Sequence, residues 1–132
     1  MSPALEIARN FPHCDEHSDD SFLGRLHELR TWSVDEYWTY EAALYELARD
    51  YHDAPDLPRE IAWRVVRIFS HAMLLSRCHF DPVDGCRIEN LTDAQVVEWL
   101  ERLQLVTEGF FQGEMPEQCY FAVPNPLLVR DT

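Results

Sequence analysis

Ser33-Val34-Asp35-Glu36-Tyr37-Trp38-Thr39-Tyr40-Glu41 reads as the opening of a helix. The Ser33 hydroxyl can accept from the backbone amide three residues on, and Glu36 can reach back to the serine amide, the reciprocal arrangement of a capping box. Beyond it Val34, Tyr37, Trp38, Leu44, Tyr45 and Ala48 recur at helical spacing and make one apolar face, so a helix is predicted to about His52. Glu41 stands in the middle of that face. A carboxylate there must meet a cation or stay protonated. We expect a buried ion pair, with Arg67 or Arg64 on the following helix as the partner and Arg67 preferred. A general acid or base with a raised pKa is the alternative.

Downstream, Asp53-Ala54-Pro55-Asp56-Leu57-Pro58 is a loop, and the next helix is predicted from about Arg59 to Arg77. Its buried stripe is Ile61, Ala62, Val65, Ile68, Phe69, Ala72 and Met73, with Arg64, Arg67 and His71 beside or opposite it. Asp81-Pro82-Val83-Asp84-Gly85 has turn chemistry. Thr92-Asp93-Ala94-Gln95 is a second capping box, opening a helix to about Gln112 with Gly113 at its end. Val97, Trp99, Leu100, Leu103, Val106, Phe110 and Phe111 make that helix apolar on most sides, so it is expected at the centre of the fold. Residues 86–89 and 119–123 carry strand character and are expected to pair as a small β ribbon.

Upstream, Phe22, Leu26 and Leu29 predict a short helix over 21–30, and residues 1–20 read as an irregular acidic segment. The expected fold is thus mainly α (α+β): a single domain over 1–132 with three to four helices and the ribbon. At 132 residues the chain has the length of one domain and an apolar core to match.

The 24 acidic residues outnumber 11 basic ones, all arginine, for a net charge of −13. A nucleic-acid binder needs a basic patch, and no stretch clusters arginines, so direct nucleic-acid binding is excluded. A positively charged partner is the natural complement. Met1-Ser2-Pro3-Ala4-Leu5-Glu6 has neither a basic nor an apolar leader region, and no apolar run approaches the ~20 residues of a membrane span. A cytoplasmic location follows, with Cys14, Cys78, Cys86 and Cys119 as thiols.

No catalytic, metal or cofactor site is expected. His13 and His17 with Cys14, Asp15 and Asp19 have zinc-like spacing only on a helix, which this stretch does not predict. Cys78, His79, Asp81 and Cys86 are spaced too widely for a zinc motif. There is no Glu-x-x-His for a di-iron bundle, no Gly-x-Ser-x-Gly elbow and no phosphate-cradling glycine loop.

Several segments, in order, resemble one known family: Asn10-Phe11-Pro12, Ser21-Phe22-Leu23-Gly24-x-Leu26-His27, Tyr37-Trp38-x-x-Glu41, Arg67-Ile68-Phe69-Ser70, Ile88-x-Asn90-Leu91, Arg102-Leu103-Gln104-Leu105-Val106-x-Glu108-Gly109-Phe110-Phe111-x-Gly113 and Asn125-Pro126-Leu127-Leu128. Together they are similar to the immunity protein 41 family of bacterial polymorphic toxin and contact-dependent growth inhibition systems, from about residue 10 to 128. The resemblance implies an antidote that binds the C-terminal nuclease domain of a cognate toxin, of the EndoU ribonuclease type. A ribonuclease is basic where it holds RNA. We therefore expect acidic loops to occlude its cleft, with Asp15, Glu16, Asp19, Asp20, Asp81 and Asp84 as contacts. The other classes weighed are a regulatory module for another basic protein and a small enzyme centred on Glu41 and the histidines.

Overall fold

Three helices start where side-chain chemistry calls for a start. Ser21, Ser33 and Thr92 each accept from the backbone amide three residues on, and Gln95 completes a reciprocal box with Thr92. Glu36 does not reach back to Ser33; its carboxylate binds Arg9 instead. The computed structural model describes residues 2–83 and 85–129. Within them lie helices α1 (Pro3–Arg9), α2 (Phe22–Leu29), α3 (Val34–Asp50), α4 (Arg59–Arg77), α5 (Asp93–Gln112) and α6 (Pro126–Val129), with 3-10 turns at Cys78–Phe80 and Gln118–Tyr120. Gly113 ends α5 at φ 86°, a left-handed conformation that glycine adopts without steric cost.

α3 packs on α1, α2, α5 and α6, while α4 packs on α1, α2 and α5. The deepest part of the core is aromatic: Phe22, Trp32, Tyr37 and Tyr40 are all fully buried, with Trp38 and Trp99 meeting edge-to-face at their border. A ring buries ~150–250 Å² and prefers edge-to-face neighbours, and Phe22 meets Trp32 and Tyr37 in that way.

Four expectations are corrected. The fold is α-helical without a β ribbon: no strand occurs among the described residues. Around 86–89 the backbone is engaged by side chains, since the Ile88 amide donates to His79 and Asn90 bridges the Trp32 backbone. Around 118–125 it is engaged by Arg102 and Gln118. The Glu89 amide donates to the Arg30 carbonyl, and the Tyr120 and Phe121 amides close local turns, so the two segments pair with other partners and not with each other.

The N-terminal segment is not irregular throughout, because α1 forms over residues 3–9. Ser2 caps it, Pro3 fills its first turn, and Ile7 and Ala8 are buried. α5, expected to be apolar on most sides, leaves two of the expected apolar residues in solvent: Val97 and Phe111 are 45% and 40% exposed, while Val96 is buried. Finally, Glu41 is fully buried as expected, but its cation is Arg102 of α5. The face of α3 that carries Glu41 meets α5, whereas Arg67 lies on the exposed side of α4.

No helix among the described residues is long and apolar enough to cross a membrane, and no disulfide joins the cysteines.

Candidate functional site

The acidic segment 12–20 is a tightly held loop. Successive turns close it: the Cys14 amide donates to Phe11, His17 to Cys14, Ser18 to Arg9 and Ser21 to Ser18. Asn10, fully buried, donates to the Glu6 carbonyl and accepts from the Leu23 amide, so one side chain ties the end of α1 to the start of α2. Gly24 lies against the loop so closely that a Cβ there would sit 2.5 Å from the Ser18 carbonyl oxygen. Asp15, Glu16, Asp19 and Asp20 all project into solvent from this frame. Their nearest cation is Arg25, 3.9 Å from Asp20. Trp63, 56% exposed, borders the loop and stands edge-on against the Phe11 ring at 4.9 Å.

Asp81 is also exposed, but at the opposite end of α4; Asp84 lies outside the described residues. Trp63 and Cys78 are separated by about 22 Å of helix at ~1.5 Å per residue. The structure therefore holds the two acidic loops apart rather than in one patch.

The Glu41 centre is closed. Oε1 accepts from Arg102 Nε at 2.7 Å and the Tyr37 hydroxyl at 3.0 Å. Oε2 accepts from Arg102 Nη2, Gln118 and Asn125 at 2.9, 3.2 and 3.1 Å. Arg102 also donates to the Val123 carbonyl and lies over the Trp38 and Phe121 rings. Burial works against the Arg102 charge, but the Glu41 carboxylate outweighs it and holds the guanidinium pKa above its ordinary value. Burial raises the Tyr37 phenol well above its usual range, so it stays a donor. Every acceptor position on Glu41 facing a neighbour is taken and none of the side chain meets solvent, which leaves no geometry for an acid–base role.

His79 is likewise sealed. Its Nδ1 accepts from the Ile88 amide at 2.9 Å, which puts the ring proton on Nε2, and Nε2 donates to Asp93 Oδ1 at 2.8 Å. Hydrogen bonds from Arg87 and His79 hold the Asp93 carboxyl below the usual carboxylate range. This is a clamp between the end of α4 and the start of α5. His13 and His17 lie on turns, and no group of three ligating side chains among the described residues is placed to hold a metal.

A cleft of about 880 Å³ runs between α1, α3 and the C-terminal segment, lined by Glu6, Ala42, Glu46, Arg49, Met115 and Leu128 among others. Glu6 is 2% exposed and paired with Arg9 at 2.6 Å. Burial outweighs that pairing and raises its pKa above 4.5. The folded state thus holds the Glu6 proton to higher pH than the unfolded chain, and its contribution to stability falls as pH rises above about 4.5. Glu6→Gln should therefore gain in melting temperature relative to wild type between pH 4.5 and pH 7; a gap that stays constant over that range would contradict it.

Sequence reasoning missed Arg102, Glu6 and Asn10. Arg102 alone left a visible sign, a charge among Trp99, Leu103 and Val106. The immunity protein 41 family profile matches residues 9–119, most of the chain, including the acidic loop, α2 to α5 and the Glu41–Arg102 pair.

The chain belongs to the immunity protein 41 family.

No curated protein and no solved structure matches it. In this immunity protein 41 chain the Asn125-Pro126-Leu127-Leu128 segment lies beyond the matched stretch, although Asn125 binds Glu41 inside it. Within the matched stretch, Tyr37-Trp38-x-x-Glu41 and Arg102-Leu103 are the buried ion pair and its surroundings, so these segments build the core.

Proposed function

We propose that this chain neutralises a cognate bacterial toxin by binding its C-terminal nuclease domain, of the EndoU ribonuclease class, in the cytoplasm of the cell that carries both genes. The protein forms and breaks no bond; it acts by covering the basic cleft in which the toxin would hold RNA. Membership of an immunity family supports the antidote role. The observation that carries the mode of binding is the loop at 12–20. It displays Asp15, Glu16, Asp19 and Asp20 from a frame fixed by Asn10 and by the close approach of Gly24. A fixed loop loses little freedom on binding. Its carboxylates stand in for phosphates, and the −13 charge behind them draws a cationic partner in. Asp81 marks a second acidic contact, which a broad partner reaches at the far end of α4; the expected contact at Asp84 lies outside the described residues.

The test is association of the purified chain with the toxin domain encoded beside it, read by stopped-flow fluorescence and by RNA cleavage. Wild type should abolish cleavage. Reversing Asp15, Glu16, Asp19 and Asp20 to lysine should slow association by about tenfold or more and flatten its salt dependence. If association and its salt dependence stay as in wild type, the loop is not the contact; if wild type leaves cleavage untouched, the antidote role is lost.

A further inference from the structure

α4 and α5 present a second surface that the acidic loop does not use. The exposed residues of α4 are Arg59, Glu60, Trp63, Val66, Arg67, Ser70, Leu74 and Arg77. At ~100° per residue they fall on one side of the helix, opposite buried Val65, Ile68 and Ala72. Trp63, Val66 and Leu74 are 56%, 50% and 62% exposed, a costly display for a solvent-facing helix. α5 does the same beside it, with Val97, Leu105 and Phe111 at 45%, 37% and 40%.

The charges on the two faces are opposite. Arg59, Arg67 and Arg77 have no hydrogen bond or ion pair from their guanidinium groups to any described residue, in a chain otherwise dominated by acid. On α5, Glu98 and Glu101 are equally unpaired, and Glu108 has only Gln104.

The two helices are antiparallel and level. His79 meets Asp93 at one end, while Val66 and Phe69 share an apolar groove with Thr107, Glu108 and Phe111 toward the other. Over the stretch where the two helices run level, residues 63–77 beside residues 98–112, they give a face roughly 21 Å long and 20 Å wide. That is about 420 Å² per partner before side-chain relief, below the ~800 Å² of a standard interface, so the contact is of the weak class and its occupancy depends on chain concentration.

We propose that this face is a homodimer interface. A twofold axis lying in the interface, parallel to the helices, sets α4 of each copy over α5 of the other and leaves every residue at its own height. Basic α4 then meets acidic α5 twice, and the apolar stripes close on each other. The intramolecular level fixes the cross-pairs: Arg67 with Glu108 of the second copy, Trp63 with Phe111, and Arg77 with Glu98. The excess negative charge lies mostly elsewhere, and at physiological salt the screening length is about 8 Å, so it opposes this contact weakly.

Sedimentation equilibrium on the full chain tests this without the toxin, so its outcome is separate from the antidote role. At roughly 100 µM chain, wild type should run as a dimer. Arg67→Glu and Glu108→Arg should each raise the dimer dissociation constant by about tenfold or more, and the double reversal should recover most of that loss. Leu74→Glu should be monomeric, with circular dichroism unchanged because Leu74 is a surface residue. A monomeric wild type at that concentration, a dimer that survives Leu74→Glu, or a double reversal no tighter than the weaker single would overturn the interface.

Discussion

Glu41→Ala should lower the melting temperature by roughly 10–20 °C, since removing one partner of a buried ion pair costs about 3–5 kcal/mol and each kcal/mol moves a domain of this size by about 3–5 °C. The cost comes from what is left behind. Arg102 would keep its charge in a site where it is 6% exposed, with only the Val123 carbonyl and Gln118 as acceptors. Tyr37 and Asn125 would each lose an acceptor as well. Arg102→Ala should cost a comparable amount for the mirror-image reason, an uncompensated carboxylate. The double replacement Glu41→Leu with Arg102→Met should cost less than either single change, because an apolar pair of similar volume carries no desolvation penalty.

A second readout is local. Gln118, Val123 and Asn125 are held to α3 and α5 through this pair, so amide exchange over residues 118–125 should quicken in Glu41→Ala before α4 responds. Singles that melt within about 1 kcal/mol of wild type would mean that water or rearrangement replaces the lost partner and that the site is not sealed.

The sequence marked the places where the backbone itself carries the information. Ser21, Ser33 and Thr92 are helix starts because their hydroxyls satisfy orphan amides, an effect that acts over three residues and needs no tertiary context. Gly113 stops α5 for an equally local reason. Glu41 was legible as an anomaly, a carboxylate in an apolar stripe, but its partner depends on which helices approach. Arg102 is the same anomaly with the opposite sign, lying in the apolar arc of α5 between Trp99 and Val106. Matching the two misfit charges, rather than taking arginines on the next helix, would have paired them. The strand expectation failed at 119–123 because β-propensity reflects fit to a sheet surface. Here Gln118 and Asn125 engage the buried carboxylate, and Tyr120 and Val123 are left 71% and 59% exposed. The acidic loop was visible as composition alone. Its rigidity rests on Asn10 reaching across 13 residues to Leu23 and on the absence of a side chain at Gly24, and neither effect has a periodic signature.

That rigidity has its root in Phe22. The ring is fully buried, with centroids 4.8 Å from Trp32, 5.3 Å from Tyr37 and 5.9 Å from Tyr40. It is also the first residue of α2, between the Ser21 cap and the Leu23 amide that Asn10 accepts from. Phe22→Ala should cost about 3–5 kcal/mol, the lost transfer energy plus the cavity that three rigid rings cannot collapse to fill. Against a typical total of ~5–15 kcal/mol this is a large fraction of the stability. Phe22→Leu keeps much of the volume and should cost about 1–2 kcal/mol. Near-ultraviolet circular dichroism should weaken in the alanine variant, because Trp32 loses the edge-to-face neighbour that fixes it. Because the same residue anchors the start of α2, the Ser18 to Gly24 contact should loosen with it. The alanine variant should then show faster proteolysis within residues 12–20 at a temperature where both proteins remain folded. If the alanine variant melts within about 1 kcal/mol of wild type, the aromatic cluster does not act as the keystone of the fold. If it melts early but the loop stays protected, Asn10 and the chain of turns from Phe11 to Ser21 hold the acidic display by themselves.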